Sequence, residues 1–170
     1  EDSDGDGRSD RRTVFWDQAQ KLTSVEVGYG GVWVLCAPQL LFIPDRNRDD
    51  VPDGPPEVVL DGWDQDAVRH NIVNGLRWGP DGWLYGGQGS TTSSRVTRPG
   101  LDPANAPGVH FEGCIVWRYH PDTRAYEIFA EGSGNTFGLE FDAEGRLYSG
   151  HNGGQTRGWH YVQGPPPSGG

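Results

Sequence analysis

The chain has 170 residues, of which 24 are acidic and 14 are basic, and its formal net charge is −10. So acidic a chain has no broad basic surface to neutralise phosphates, which argues against a nucleic-acid-binding protein. No apolar run reaches the ~20 residues that a membrane-spanning helix needs. Glycine (27 residues) and proline (13) are abundant and only 34% of the residues are hydrophobic, which predicts many short strands joined by turns.

The first residues form an acidic loop whose spacing favours a calcium ion. Carboxylates occupy loop positions 1, 3, 5 and 9, glycine occupies position 6, and position 7 offers a backbone carbonyl, which is the oxygen-only pattern that Ca²⁺ requires. Thr13 stands at position 12, where an EF-hand has a bidentate glutamate, so the loop resembles those of dockerin-type and thrombospondin-type repeats. A solvated acidic turn is the alternative. The predicted ligands are Asp2, Asp4, Asp6, Arg8 (through its carbonyl) and Asp10.

A pattern of strand, tight glycine turn and strand occurs three times, around Gly31, Gly82 and Gly145. Further strands are predicted at 40–43 and 57–60 after the first hairpin, and at 114–119 and 126–130 after the second. A repeated four-stranded antiparallel sheet is typical of a β-propeller.

We therefore predict an all-β propeller with four-stranded antiparallel blades, of which the chain contains about three. Residues 1–16 are expected to end one blade, with Thr13–Trp16 as its fourth strand. The other predicted units are blades at 17–60 and 61–130, the start of a blade at 131–163, and a Gly/Pro-rich tail at 164–170. Whole propellers typically have 4 to 8 blades, so we expect the chain to be a fragment.

A second acidic loop lies just before the strand predicted at 57–60. It repeats the spacing of the first loop, but Asp50 replaces the glycine and two arginines offset the charge. The sequence leaves open whether it is a second calcium site or a solvated turn. Its candidate ligands are Asp45, Asn47, Asp49 and Asp53.

Cys36 and Cys114 are isolated in the sequence, with no CxxCH haem motif and no zinc spacing. Two buried small hydrophobes are expected, and a disulfide between them stays open.

The loops expected at one end of the blades are rich in histidine, amide and guanidinium groups. In a four-stranded blade, the loop before the first strand and the loop between the second and third strands lie on the same face, and propellers bind ligands there. At His70 a neutral imidazole could accept a proton from an alcohol while a cofactor accepts hydride. The alternative is a loop histidine hydrogen-bonded to the backbone. The other candidates, for cofactor binding, are Asn71, Gln88, Arg95, Asn135, His151, Asn152 and Arg157.

Three segments, at 70–85, 113–122 and 134–142, resemble motifs of PQQ-dependent glucose and aldose dehydrogenases of the glucose/sorbosone type. The run Arg77-Trp78-Gly79-Pro80-Asp81-Gly82-Trp83-Leu84-Tyr85, together with the acidic loops, is similar to the membrane-bound dehydrogenase domain of planctomycete-type bacteria. This resemblance implies a six-bladed propeller, PQQ as cofactor, and His70 as the general base. The sequence departs from the family pattern at two places. It has one extra residue between His70 and Leu76, and it has Gly134 where the family has arginine.

The resemblance implies a quinoprotein oxidoreductase that oxidises an aldose or related alcohol. Arg157 or Arg95 would pair with a cofactor carboxylate, and Ca²⁺ would be structural or bridge to the cofactor. A periplasmic or secreted location is expected, with a cytochrome c acceptor or haem domain elsewhere in the full protein; the fragment alone should be inactive. The alternative is a non-catalytic, calcium-stabilised secreted propeller that binds carbohydrate or protein.

Overall fold

The computed structural model describes residues 2–64, 72–150 and 158–163, and these residues form antiparallel β-sheets without a helix. No helix in these ranges has the length and apolarity to cross a membrane. The strands are β1 (Leu22–Gly28), β2 (Gly31–Cys36), β3 (Gln39–Pro44), β4 (Glu57–Trp63), β5 (Asn74–Trp78), β6 (Leu84–Gln88), β7 (Ser93–Thr97), β8 (Val109–Glu112), β9 (Ile115–Tyr119), β10 (Tyr126–Glu131), β11 (Phe137–Phe141), β12 (Leu147–Gly150) and β13 (Gly158–Tyr161).

The strands form three sheets. Sheet A has the order β1-β2-β3-β4-β7-β8, sheet B the order β10-β9-β6-β5, and sheet C the order β11-β12-β13. The three predicted hairpins, and the third and fourth strands predicted after the first two, are all present. The propeller itself stays a prediction.

A hairpin lies at residues 93–112, between the second strand of the blade predicted at 61–130 and the strand predicted at 114–119. Strands β7 and β8 pair with each other, and β7 pairs with β4, so sheet A has six strands instead of four. Gly62 permits this pairing, because a Cβ there would lie 2.1 Å from the Arg95 carbonyl oxygen. The hairpin thus leaves sheet B between β6 and β9 and extends sheet A.

The predicted strand at Thr13–Trp16 is wrong. Residues in this segment form no ladder, and Phe15 and Trp16 instead pack on the outer face of sheet A beside Val34 and Ile43. Their apolar side chains, which suggested a strand, are partly buried against a sheet face, and the segment does not pair with the edge of the sheet.

The sheets pack face to face, with one core between A and B and another between B and C. Strand alternation explains both cores, because successive side chains of β6 and β9 point to opposite faces. Leu84 and Trp117 face sheet A, whereas Tyr85 and Val116 face sheet C. Each fully buried Leu, Ile or Val contributes about 1.5–3 kcal/mol. Cys36 and Cys114 are buried and not bonded to each other.

The first strands of the three sheets, β1, β5 and β11, lie side by side, and polar side chains join them. The hydroxyl of Thr23 in β1 donates to the Val73 carbonyl (2.8 Å), and the amide of Asn74 in β5 donates to the Thr136 carbonyl (3.2 Å). Thr23 and Asn74 therefore occupy equivalent positions. Thr23 bonds the residue just before β5, and Asn74 bonds the residue just before β11.

Arg77 bridges the three first strands. Its guanidinium bonds Glu26 of β1 (3.1 Å) and Glu140 of β11 (2.6 Å). Burial raises the pKa of Glu26 above its ordinary value, although Arg77 opposes the shift. We call Glu26, Arg77 and Glu140 the charge ladder.

Gly86 to Ala should destabilise the chain by about 1–3 kcal/mol, because the new Cβ would lie 2.1 Å from the Trp117 ring. Gly54 is the matched control, since its nearest neighbour would be 3.7 Å away. Gly54→Ala should change the free energy of unfolding by about 0.5 kcal/mol or less. Urea unfolding measures both, and equal effects would contradict the placement of the Trp117 ring over Gly86 within sheet B.

The raised pKa of Glu26 predicts a pH dependence of stability. A carboxyl whose pKa is higher in the folded state contributes stability that is complete below its ordinary pKa of 4.5 and is lost as the pH rises through the raised value. Glu26→Gln should therefore remove part of the loss of stability above pH 4.5. Free energies of unfolding of Glu26→Gln and the wild type, measured across this range, test the prediction. Identical pH profiles for Glu26→Gln and wild type would refute the assignment.

Candidate functional sites

The first acidic loop is organised by its own backbone. The Asp2 carboxylate accepts N–H groups from Gly5 (2.7 Å) and Gly7 (2.8 Å), and Asp10 accepts the N–H of Ser3 (3.2 Å). These bonds, that from Gly7 foremost, lower the pKa of Asp2, and the bonds from Ser3 lower the pKa of Asp10. Both groups are therefore ionised in the pH range where a cation would bind.

Asp2, Asp4 and Asp6 each offer a carboxylate oxygen, and these oxygens lie within 4.8 Å of one another. Within residues 2–64, 72–150 and 158–163, no other three His, Cys, Asp or Glu side chains converge in this way. The donor set is all oxygen and strongly negative, which fits Ca²⁺.

The second acidic loop repeats the internal hydrogen bonds of the first. At position 9, Asp53 accepts the N–H of Arg46 at position 2 (2.6 Å), as Asp10 does from Ser3. At position 5, Asp49 accepts the N–H of Val51 at position 7 (2.9 Å). Asp6 accepts the N–H of Arg8 in the same way in the first loop (2.8 Å).

The backbone conformation is repeated as well. Positions 4 and 6 have left-handed φ in both loops, at Gly5 (78°) and Gly7 (85°) and again at Arg48 (59°) and Asp50 (63°). Non-glycine residues adopt this conformation only when their surroundings stabilise it, at a cost of about 1–3 kcal/mol each. The second loop therefore keeps the fold of the first without its glycines, although Asn47 replaces one carboxylate and donates to Asp49 (2.9 Å).

The two acidic loops lie close together. Asp50 of the second loop and Ser9 of the first line one cavity of about 390 Å³, together with Arg11, Arg12, Thr13 and Phe15. A second cavity of about 530 Å³ lies between Phe15, the exposed apolar side chains of β1 and the second loop.

A polar cluster lies where β5 and β11 begin. Asn74, Asn135 and Thr136 are buried there, and the Asn135 side-chain oxygen accepts the N–H of Ser90 (3.2 Å). Asn74 accepts the N–H of Gly138 (3.0 Å) and donates to Thr136. This cluster joins the loop after β6 to the two first strands.

Gln88 is fully buried and holds the base of the β7–β8 hairpin. Its amide nitrogen donates to the carbonyls of Thr92 (3.0 Å) and Gly113 (2.9 Å). Its Oε1 has no partner among the described residues. Both amide hydrogens are already used inside the protein.

Arg95 lies apart from Gln88 and Asn135. It is exposed on β7, opposite His110 on β8, in the part of sheet A farthest from the first strands. The structure thus brings Gln88 and Asn135 to one region and places Arg95 in another. The remaining candidates lie outside the described residues: His70, Asn71, His151, Asn152 and Arg157.

The sequence analysis missed Thr23 and Asn74. Each stands three residues before a member of the charge ladder, so aligning the first strands on Glu26 and Arg77 would have revealed the shared polar position.

A family model described as Domain of unknown function (DUF7133) matches residues 1–165. No curated protein and no solved structure matches the chain. The family description states no activity, so the relation to PQQ-dependent dehydrogenases stays a prediction. Because the match covers almost the whole chain, the chain belongs to the DUF7133 family.

Proposed function

We propose that the chain is part of an extracytoplasmic β-propeller that oxidises a sugar or related alcohol with PQQ. The observation that carries the proposal is the side-by-side packing of β1, β5 and β11, each the first strand of an antiparallel sheet. A propeller arranges its first strands around a central channel in this way. The sequence motifs that resemble quinoprotein dehydrogenases supply the chemistry.

His70 is the proposed general base. It would take the proton of the substrate hydroxyl as the hydride leaves the same carbon, so the alcohol becomes a carbonyl. PQQ, when bound, supplies the two-electron acceptor.

The described cofactor candidates do not form a cradle for PQQ. The amide hydrogens of Gln88 are bonded within the protein, and Arg95 lies on the outer part of sheet A. Asn135 is buried beside Asn74 and Thr136, and its side-chain oxygen already accepts the N–H of Ser90. The proposal therefore depends on the candidates outside the described residues.

The test titrates PQQ into the full-length protein and measures sugar-dependent reduction of an artificial electron acceptor. We expect saturable binding, and His70→Ala should lower turnover by about 10²–10⁴-fold, the usual contribution of a general base. His120→Gln, at the β9–β10 turn, is the control and should keep full turnover. Absence of both PQQ binding and turnover across a broad sugar panel would exclude the enzyme.

The second candidate function is a calcium-stabilised propeller that binds carbohydrate or protein without catalysis. The convergence of Asp2, Asp4 and Asp6 and the repeated fold of the second acidic loop support stabilisation by calcium, which this function requires. Both candidate functions include the calcium sites. In the first loop, the carbonyl of Arg8 and the carboxylate of Asp10 would complete the set of calcium ligands. A periplasmic or secreted location suits loops of this kind, because extracellular modules bind Ca²⁺ at roughly 10⁻⁴–10⁻³ M.

Calcium should raise the thermal unfolding temperature of the chain, because a ligand that binds only the folded state stabilises it. The double variant Asp4→Asn and Asp6→Asn should bind Ca²⁺ about tenfold or more weakly in calorimetry, since it removes two of the converging carboxylates. Asp122→Asn, exposed in the β9–β10 turn, is the control and should bind as wild type does. Equal calcium affinity in the double variant would show that the first loop is only a solvated turn.

A further inference from the structure

One row of side chains is repeated across the three sheets. In each sheet, a charge-ladder residue on the first strand pairs with an aromatic residue on the second, which pairs with a planar side chain on the third. The rows are Glu26–Trp33–Phe42 in sheet A, Arg77–Tyr85–Arg118 in sheet B and Glu140–Tyr148–His160 in sheet C.

In sheets A and B, this row is covered by the next sheet. Trp33 contacts Trp78 of sheet B, with ring centroids 5.8 Å apart, and Tyr85 contacts Phe141 of sheet C at 5.1 Å. In both places, the first strand of the covering sheet, β5 or β11, places an aromatic side chain against the aromatic residue of the row.

In sheet C, the row is open in the part of the chain that the structure describes. The Glu140 side chain is 66% exposed, His160 is exposed, and Tyr148 stacks on His160 with centroids 5.0 Å apart. Phe137 and Val162, at the margins of the sheet, are 64% and 72% exposed. An apolar and aromatic surface of this kind marks an interaction site.

The charge ladder specifies the partner. Arg77 already pairs with Glu26 and Glu140, so the ladder carries one excess negative charge, at its exposed end. A second copy of the chain would bring Glu26 towards Glu140, and like charges would oppose the contact. A complementary partner must instead bring a cation, as sheet B does with Arg77 against Glu26.

We propose that the open row of sheet C docks an antiparallel β-sheet whose edge strand places an arginine or lysine against Glu140 and an aromatic side chain against Tyr148. This docking surface rests on the propeller architecture of the proposed function, but it does not depend on PQQ.

The probe is a cyclised hairpin peptide with the sequence of residues 74–88, because β5 and β6 already cover an equivalent row in sheet A. Cyclisation is needed, since an isolated hairpin is only marginally stable. In NMR titrations with the 170-residue chain, the ring signals of Tyr148 and His160 should shift saturably. Replacing the arginine of the peptide, which corresponds to Arg77, by glutamate should weaken binding about tenfold.

A charge exchange gives the decisive control. Glu140→Arg should no longer bind the peptide that carries arginine and should bind the peptide that carries glutamate. Circular dichroism checks that the variant keeps its fold. Glu144→Arg is the matched variant, since its side chain is 67% exposed and lies in the β11–β12 turn outside the row. It should bind both peptides as wild type does.

Three results would overturn the proposal. These are the absence of saturable shifts at Tyr148 and His160, equal binding of the two peptides, and self-association of the wild-type chain through sheet C in sedimentation. The last result would identify a second copy as the partner. None of them bears on PQQ binding, so the two proposals fail separately.

Discussion

The structure depends on the contact between the first strands of its sheets. Arg77 holds Glu26 and Glu140 on either side, while Thr23 and Asn74 bond the backbone just before the next first strand. Gly75 permits the close approach, since a Cβ there would lie 3.1 Å from the Cα of Gly138. Because β1, β5 and β11 are held together, the larger apolar side chains fill the cores between the sheets, where most of the stability arises.

This packing also determines where chemistry can occur. At one end of the first strands, buried amides and hydroxyls gather around Asn74, Asn135 and Thr136. The β3–β4 connection lies at the opposite end of the sheets, and it carries the second acidic loop beside the first. A calcium ion there would stabilise the loops without entering the polar cluster, which fits a structural role better than a catalytic one.

The strand pattern could be read from the sequence because hydrophobic alternation and turn glycines are local signals. The β7–β8 hairpin could not be predicted, because β7 pairs with β4, which is distant in sequence. Gly62 is the one local sign that the β4 and β7 backbones approach closely. The acidic loops were predicted from spacing, yet the left-handed conformation of Arg48 runs against the preference of a long side chain and depends on the surrounding hydrogen bonds. Gln88 was predicted to bind the cofactor because it is an amide in a loop region, and this stays a prediction. The role of its amide nitrogen in holding the β7–β8 hairpin could not be predicted, because it depends on tertiary packing.

The proposed function requires that sheets A, B and C belong to one ring of similar sheets around a channel. The most direct measurement is an experimental structure of the full-length protein with PQQ and Ca²⁺ added. We expect a closed ring in which a further sheet covers the Glu140–Tyr148–His160 row with a cation against Glu140, and in which His70 faces bound PQQ. A structure in which the three sheets form an open stack, with this row exposed to solvent, would contradict it.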